Sequence, residues 1–288
     1  MMRRWPVVSL LALCSSLGLA QEPFSRPFKI VERLTYRVKV AMMGVSGRAA
    51  MWIDGPVDIR GTSVMVLHSE SKAGFGPFIG SDKSTSWFDA ARLASLRFVQ
   101  YERHVVSKGH DSVEMNLEGR RWTAADGRSG VSPTDEPLDA LSFIYYLRTL
   151  PLDNDSLQSF TRHFDADRSP TTIRVTGRDT ITTPAGRFAT VTVEMRVRDR
   201  KHYAGEGVIK LELSDDHRRI PVRIESRVPV VGTTVMTLES VFPLQMAACT
   251  RTPIAEPPLL NGKSCDANFK SQHNAVARAS LKNGEQKQ

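Results

Sequence analysis

Cysteine is nearly absent. The chain has 3 in 288 residues, Cys14, Cys249 and Cys265, so a disulfide-rich framework is excluded and the fold must rest on a buried core. Histidine lacks pattern: none of the 7 stands in an H-x-H or H-E-x-x-H spacing, and no metal site is legible. Ser142 lacks the G-x-S-x-G setting of a hydrolase nucleophile. The glycines of KAGFGPFIG (Gly74, Gly76 and Gly80) lack the Lys-Ser/Thr pair that completes a phosphate loop. No cofactor is implied. Past the N-terminal segment no apolar run reaches the ~20 residues that a membrane-spanning helix needs. Charge is not clustered either: 39 Lys+Arg against 31 Asp+Glu give a net +8, spread along the chain. A dispersed excess solvates a surface and offers only a general attraction for anionic lipid or polysaccharide. The absence of any recognisable motif argues against nucleic acid.

What the chain does have begins at its start. MMRRWPVVSLLALCSSLGLAQEP carries a basic pair, Arg3 and Arg4, an apolar stretch from Val7 to Leu13, and a small-x-small end at Gly18-Leu19-Ala20. This predicts a secretory signal peptide over residues 1–20, cut after Ala20. A lipoprotein signal with Cys14 as the lipidated residue is the alternative, although Leu13 stands where a small residue belongs. The expected localisation is periplasmic or extracellular, with no transmembrane anchor after cleavage. In that oxidising compartment Cys249 and Cys265 are expected to form one disulfide, stabilising by on the order of 3 kcal/mol.

The dominant periodicity is two. In LTYRVKVAM the residues Leu34, Tyr36, Val38, Val40 and Met42 alternate with polar ones, as do Val191, Val193, Met195 and Val197 in RFATVTVEMRVRD. Ile209, Leu211 and Leu213 repeat the pattern, and so do Ile220, Val222 and Ile224. Such alternation places one face on a core and the other in water, the habit of antiparallel sheets. Turn chemistry separates the runs at Gly55-Pro56, Gly109, Pro184 to Gly186, and Ser214-Asp215-Asp216. About ten strands are expected between residues 30 and 242. Beyond Pro243 the composition turns to Pro, Asn, Lys, Ser and Gln, which predicts a disulfide-pinned loop and a disordered tail over 243–288.

One segment breaks this pattern. PLDALSFIYYLRTLPL, residues 137–152, is apolar in nearly every helical direction. Pro137 suits a first turn, Asp135 an N-cap, Asp139 the positive end of the dipole, and Arg148 the C-terminal carbonyls. At about eleven residues the helix is ~16 Å long, too short for a bilayer. A short helix apolar all round must be buried on all sides. The expected architecture is therefore an all-β, mainly antiparallel domain over residues 21–242: a curved meander sheet or half-open barrel wrapped around one short buried helix at about 137–148.

Four segments, in order, resemble a known family: ERLTYRVKV, EPLDALSFIYYLRTLPL, TPAGRFATVTV, and LSDDHRRIPVRIES followed by GTTVMTLES. Together they look like the domain of unknown function numbered 3108, found in bacterial exported proteins, over roughly residues 30–242. The resemblance implies an exported β-rich domain and no particular reaction. The family's usual Asp-Pro-Leu-Ser stands here as Glu136-Pro137-Leu138-Asp139, which argues against a strict catalytic role at either end of the motif.

Candidate sites are few. Tyr145 and Arg148 are the polar groups expected inside the curved sheet, as ligand contacts or, for Arg148, as a partner of carbonyls and an acid. Phe75 and Phe78 are expected on a flexible rim loop, where they could gate an apolar ligand, and the expected partner is a hydrophobic or anionic envelope ligand. Asp215 and Asp216 read either as a hairpin turn or as a carboxylate pair for acid–base chemistry. Two functions follow: a non-catalytic exported module that binds a lipid, glycan or other envelope component, and an envelope-polymer hydrolase using Asp215 and Asp216.

Overall fold

The computed structural model describes residues 32–40, 44–75, 78–104, 108–199, 206–228 and 232–242. The leader, Cys14, the pairing of Cys249 with Cys265 and the C-terminal tail lie outside these residues. Fourteen strands are described: β1 (Arg33–Val40), β2 (Val45–Ile59), β3 (Thr62–Phe75), β4 (Phe78–Asp89), β5 (Ala94–Arg103), β6 (Lys108–Asn116), β7 (Arg121–Ala124), β8 (Ser129–Val131), β9 (Leu157–Phe160), β10 (Thr171–Thr183), β11 (Gly186–Arg198), β12 (Glu206–Ser214), β13 (Pro221–Val228) and β14 (Gly232–Phe242). One helix, α1 (Ala140–Leu147), stands between β8 and β9.

All fourteen strands belong to one antiparallel sheet, in the order β8-β7-β6-β5-β4-β3-β2-β1-β14-β13-β12-β11-β10-β9. Two meanders of hairpins meet where β1 pairs with β14, and β8 and β9 form the two edges. The sheet is not closed, so the half-open form of the expected architecture is the one observed. Hairpins explain the order: each short turn returns the chain beside its predecessor. The longest described connection, from β8 to β9, carries the α-helix.

The alternation expected for β1 is realised, with Leu34, Tyr36, Val38 and Val40 buried between exposed Arg33, Arg37 and Lys39. Val191, Val193, Leu211, Leu213 and Val222 are likewise sealed. These inner faces share one core with Leu138, Leu141, Phe143, Tyr145 and Leu147 from α1 and its approach. A smaller cluster of Val64, Ala94, Leu96 and Leu117, with Ile59 and Trp87 against it, lies apart from this core.

The strands exceed the expected ten because Gly and Pro fall inside strands. Gly55-Pro56 marks no turn; it is a bulge within β2, where the register with β3 shifts between Asp54 and Val57. Proline has no ladder N–H to offer and is tolerated at such a position. The turn comes instead at Arg60-Gly61. Gly109 lies inside β6, paired with Glu102. The glycine-rich segment expected as a rim loop is mostly strand: Gly74 pairs with Ile79, Ala73 with Gly80, and Phe75 with Phe78 at the end of the β3–β4 ladder.

The helix starts later than expected. Asp139, not Asp135, is the N-cap, and Pro137 precedes the helix as part of a strap. Leu138 of the strap donates to the Arg162 carbonyl and accepts from Phe164, while the Pro137 carbonyl accepts from Ser95. The strap thus ties the start of β5 to the segment after β9. Leu147 is fully buried in the main core. Leu147→Ala is expected to destabilise the fold by about 2–5 kcal/mol, measured by urea unfolding, because truncation leaves a cavity that the surrounding sheet cannot fill.

Candidate functional site

A helix buried inside a sheet brings polar ends with it. At the N-terminal end Asp139 accepts from the Leu141 and Ser142 amides, each at 2.9 Å, and Ser142 Oγ accepts from the Asp139 amide at 2.9 Å. This is a capping box. From the sheet, Ser86 Oγ donates to Asp139 Oδ2 at 2.6 Å and Ser95 Oγ donates to Ser142 Oγ at 2.7 Å. All four side chains are buried. Burial raises the Asp139 carboxyl above its usual range, although the hydroxyl and amide donors pull the other way.

At the other end Arg148 makes a two-pronged pair with Glu32, at 2.7 and 2.8 Å, and donates through Nη2 to the Arg218 carbonyl at 2.9 Å. Its guanidinium lies 5.3 Å from the centre of the Tyr145 ring. Tyr36 donates to the Pro221 carbonyl at 2.9 Å. Burial opposes the charge on Arg148, and the Glu32 carboxylate outweighs it, so the guanidinium is held even more firmly protonated than usual. Burial likewise raises the Tyr36 and Tyr145 hydroxyls, which stay neutral. Tyr145 and Arg148 therefore do meet inside the sheet, where the acid-and-carbonyl reading accounts for Arg148. Phe75 and Phe78 pair with each other at the end of the β3–β4 ladder, and along β4 the Phe78 backbone stands eight residues from Ser86, roughly 26 Å at the rise of a strand.

Asp215 and Asp216 sit in the β12–β13 turn. Asp216 accepts from Ser214 Oγ at 2.7 Å and from the Arg218 guanidinium at 2.7 and 2.9 Å. Burial pushes its pKa up, but Ser214 and Arg218 prevail and leave it lowered. Asp215 bonds Arg178 at 3.0 Å and Arg219 at 2.9 Å. Both carboxylates are neutralised by local arginines, as the turn reading requires. Among the described residues no group of three or more His, Cys, Asp or Glu side chains is placed to hold a metal ion. No described helix is long and apolar enough to cross a membrane.

A cleft of about 910 Å³ lies across β1 to β6. Its geometry follows from the register. Arg48 pairs with Lys72, Lys72 with Ser81, Ser81 with Arg103, and Arg103 with Lys108. Directly paired residues point to the same side of a sheet, so these five form one wall. Two residues along, Ala50, Glu70, Lys83 and Tyr101 are paired in turn and form the other wall. Between the walls run Tyr36, Ala49 and Glu102, which are buried, with half-buried Ser71, Asp82 and Gly109 of the same row, and Glu239 lines the β1 end. The cleft is thus on the outer face, away from the helix. Glu70 and Lys83 pair at 2.7 Å across it, and Tyr101 stacks on His110 at 4.4 Å. At Gly47 the strands crowd together: a Cβ there would collide with the backbone of Lys72 and Ala73. Sequence reading missed this site because its cations come from five different strands, β2 to β6; only hairpin register gathers them.

Two predictions test the buried polar groups. Glu32→Gln leaves the Arg148 charge buried without its counter-ion and is expected to cost about 3–5 kcal/mol in urea unfolding, whereas joint replacement by Leu and Met is expected to recover most of it. The His163 ring lies tilted against Phe164, centres 4.4 Å apart, with Nε2 sealed from solvent and unbonded among the described residues. Burial, helped by Arg168, lowers its pKa to about 3. Its neutral form stabilises the fold fully above the ordinary histidine range, and this contribution drains away as pH falls from about 6.5 toward 3. The melting temperature of His163→Gln is expected to depend less on pH than that of the parent across this window.

Comparison with known proteins places the fold. A β-barrel-like protein of the domain of unknown function DUF1849 from Brucella abortus superposes with a TM-score of 0.52 at 11% identity, covering 74% of this chain and 98% of its own. A Bacteroides fragilis protein described as exported, with a YmcC-like fold, gives a TM-score of 0.29 at 11% identity over 75% of this chain and 97% of its own. A Parabacteroides distasonis protein described as a lipoprotein gives 0.30 at 11% identity over 74% and 95%. No curated protein matches by sequence. The family model for proteins of unknown function DUF3108 matches residues 35–239, and with the strands and capped helix in place the chain belongs to that family.

Proposed function

We propose that the protein is an exported, non-catalytic domain that holds a component of the bacterial cell envelope in the outer cleft. The observation that carries this reading is the cleft itself. Its volume of about 910 Å³ falls in the range of sites that enclose small ligands or segments of longer ones, about 300–1,000 Å³. Its walls mix charged, hydroxyl and aromatic groups, which suits a polar component better than a lipid tail. The leader-like N-terminus supports export. The hydrolase reading loses support, since Asp215 and Asp216 are tied into a turn by Arg178, Arg218 and Arg219.

The test is native mass spectrometry of the protein after incubation with the lipid and the glycan fractions of a bacterial envelope. A mass adduct from the glycan fraction is expected. Ala50→Trp, which fills the cleft without altering charge, is expected to abolish the adduct while leaving the circular dichroism spectrum unchanged. No adduct from either fraction, or an adduct retained in Ala50→Trp, ends the proposal.

A further inference from the structure

Resting on the binding reading above, we propose that the cleft takes an anionic glycan chain lying across the strands, its carboxylate or phosphate groups seated along Arg48, Lys72, Arg103 and Lys108. The argument starts from register. In the sequence these cations are scattered over 61 positions; in the sheet they occupy one transverse row. Arg37 extends the row on β1, directly opposite Arg48. Like charges directly opposite each other on neighbouring strands repel and weaken a sheet. Here the arrangement occurs three times: Arg37 with Arg48, Arg48 with Lys72, and Arg103 with Lys108. Arg37 is relieved by Glu239 at 2.8 Å. Among the described residues Lys72, Arg103 and Lys108 make no ion pair, and Arg48 meets only Glu239, the carboxylate already bonded to Arg37, without forming an ion pair to it.

An anion supplied from outside relieves this repulsion. The form of the anion follows from the spacing. Neighbouring strands lie about 4.7–4.9 Å apart, so the row from Arg48 to Lys108 spans four strand intervals, about 19 Å. A single phosphate cannot reach along it, whereas a chain with one charge per sugar can. Ser81 fills the gap in the row with a hydroxyl suited to a sugar hydroxyl or ring oxygen. Opposite, half-exposed Tyr101 offers an aromatic edge for a sugar ring, and Glu70 is already neutralised by Lys83, so that wall does not repel an anion. The cations line a trough between two rows of side chains. A chain can lie in such a trough, whereas a bilayer surface meets protruding groups.

The probe is a fluorescently labelled oligogalacturonate, followed by anisotropy, with labelled maltoheptaose as the uncharged control. Binding to the uronate is expected and should weaken as salt rises from about 0.05 to 0.5 M. The triple variant Arg48→Ser, Lys72→Ser, Arg103→Ser is expected to lose about tenfold or more in affinity. Its melting temperature should be at least that of the parent, since repulsion is removed. Arg121→Ser, Arg187→Ser, Arg227→Ser changes net charge equally and should bind within about twofold of the parent. Equal affinity in the cleft triple variant, equal binding of maltoheptaose, or attachment to phosphatidylglycerol vesicles without uronate binding overturns the proposal. If Ala50→Trp abolishes the envelope-fraction adduct while the cleft triple variant keeps it, the binding reading survives and the anionic chain does not.

Discussion

The structure depends on how the polar ends of a helix are satisfied where water does not reach. A helix leaves its first amides and last carbonyls without partners inside itself. On a surface, water supplies them; inside a curved sheet, only neighbouring side chains can. The sheet answers at one end with Ser86 and Ser95 around Asp139 and Ser142, and at the other with Glu32 and the Arg218 carbonyl around Arg148. These contacts come from β4, β5, the start of β1 and the β12–β13 turn. Both meanders are therefore held to one element, which fixes how the sheet curves. Asp139 is well suited to this end, since aspartate is among the strongest N-caps.

With its interior filled by α1, the domain meets solvent on the outside of its sheet. Arg148 and Tyr145 belong to the packing of that interior. The outer face is where opposed charges remain, and their persistence runs against sheet stability. Positions that weaken a fold without an evident structural return are where a binding role is most economically sought.

The fold was largely legible in the sequence. Period-two alternation located β1, β11, β12 and β13, and the all-round apolarity of Phe143 to Leu147 placed the helix inside. The cap was misplaced because Pro137, a good first-turn residue, serves equally well in the strap beside Ser95. The early strands were undercounted because Gly55-Pro56 and Gly109 read as turns and Gly74 as loop; pairing across the sheet keeps Gly74 and Gly109 in strands, while Gly55, at φ +106, forms the bulge that lets β2 continue. The site was not legible. Its residues are ordinary exposed cations, and pairing partners across a hairpin depend on where each bulge falls.

Two bulges decide that pairing. One, at Gly55-Pro56, shifts β2 against β3; the other shifts β5 against β4 between Trp87 and Phe88. Count the pairs outward from each turn without those insertions, and Lys72 meets Ala49 in place of Arg48, while Ser81 meets Glu102 in place of Arg103. The basic row would then fall apart into alanine, lysine, serine and glutamate, and Arg48 would turn toward the core. The first bulge also lets one strand of odd-numbered hydrophobics serve both sides, with Met51 and Ile53 in the main core and Ile59 against the smaller outer cluster. A single inserted residue per strand thus acts as a phase shifter: sequence drift that erased either kink would leave every cation in the chain and still dismantle the charged track.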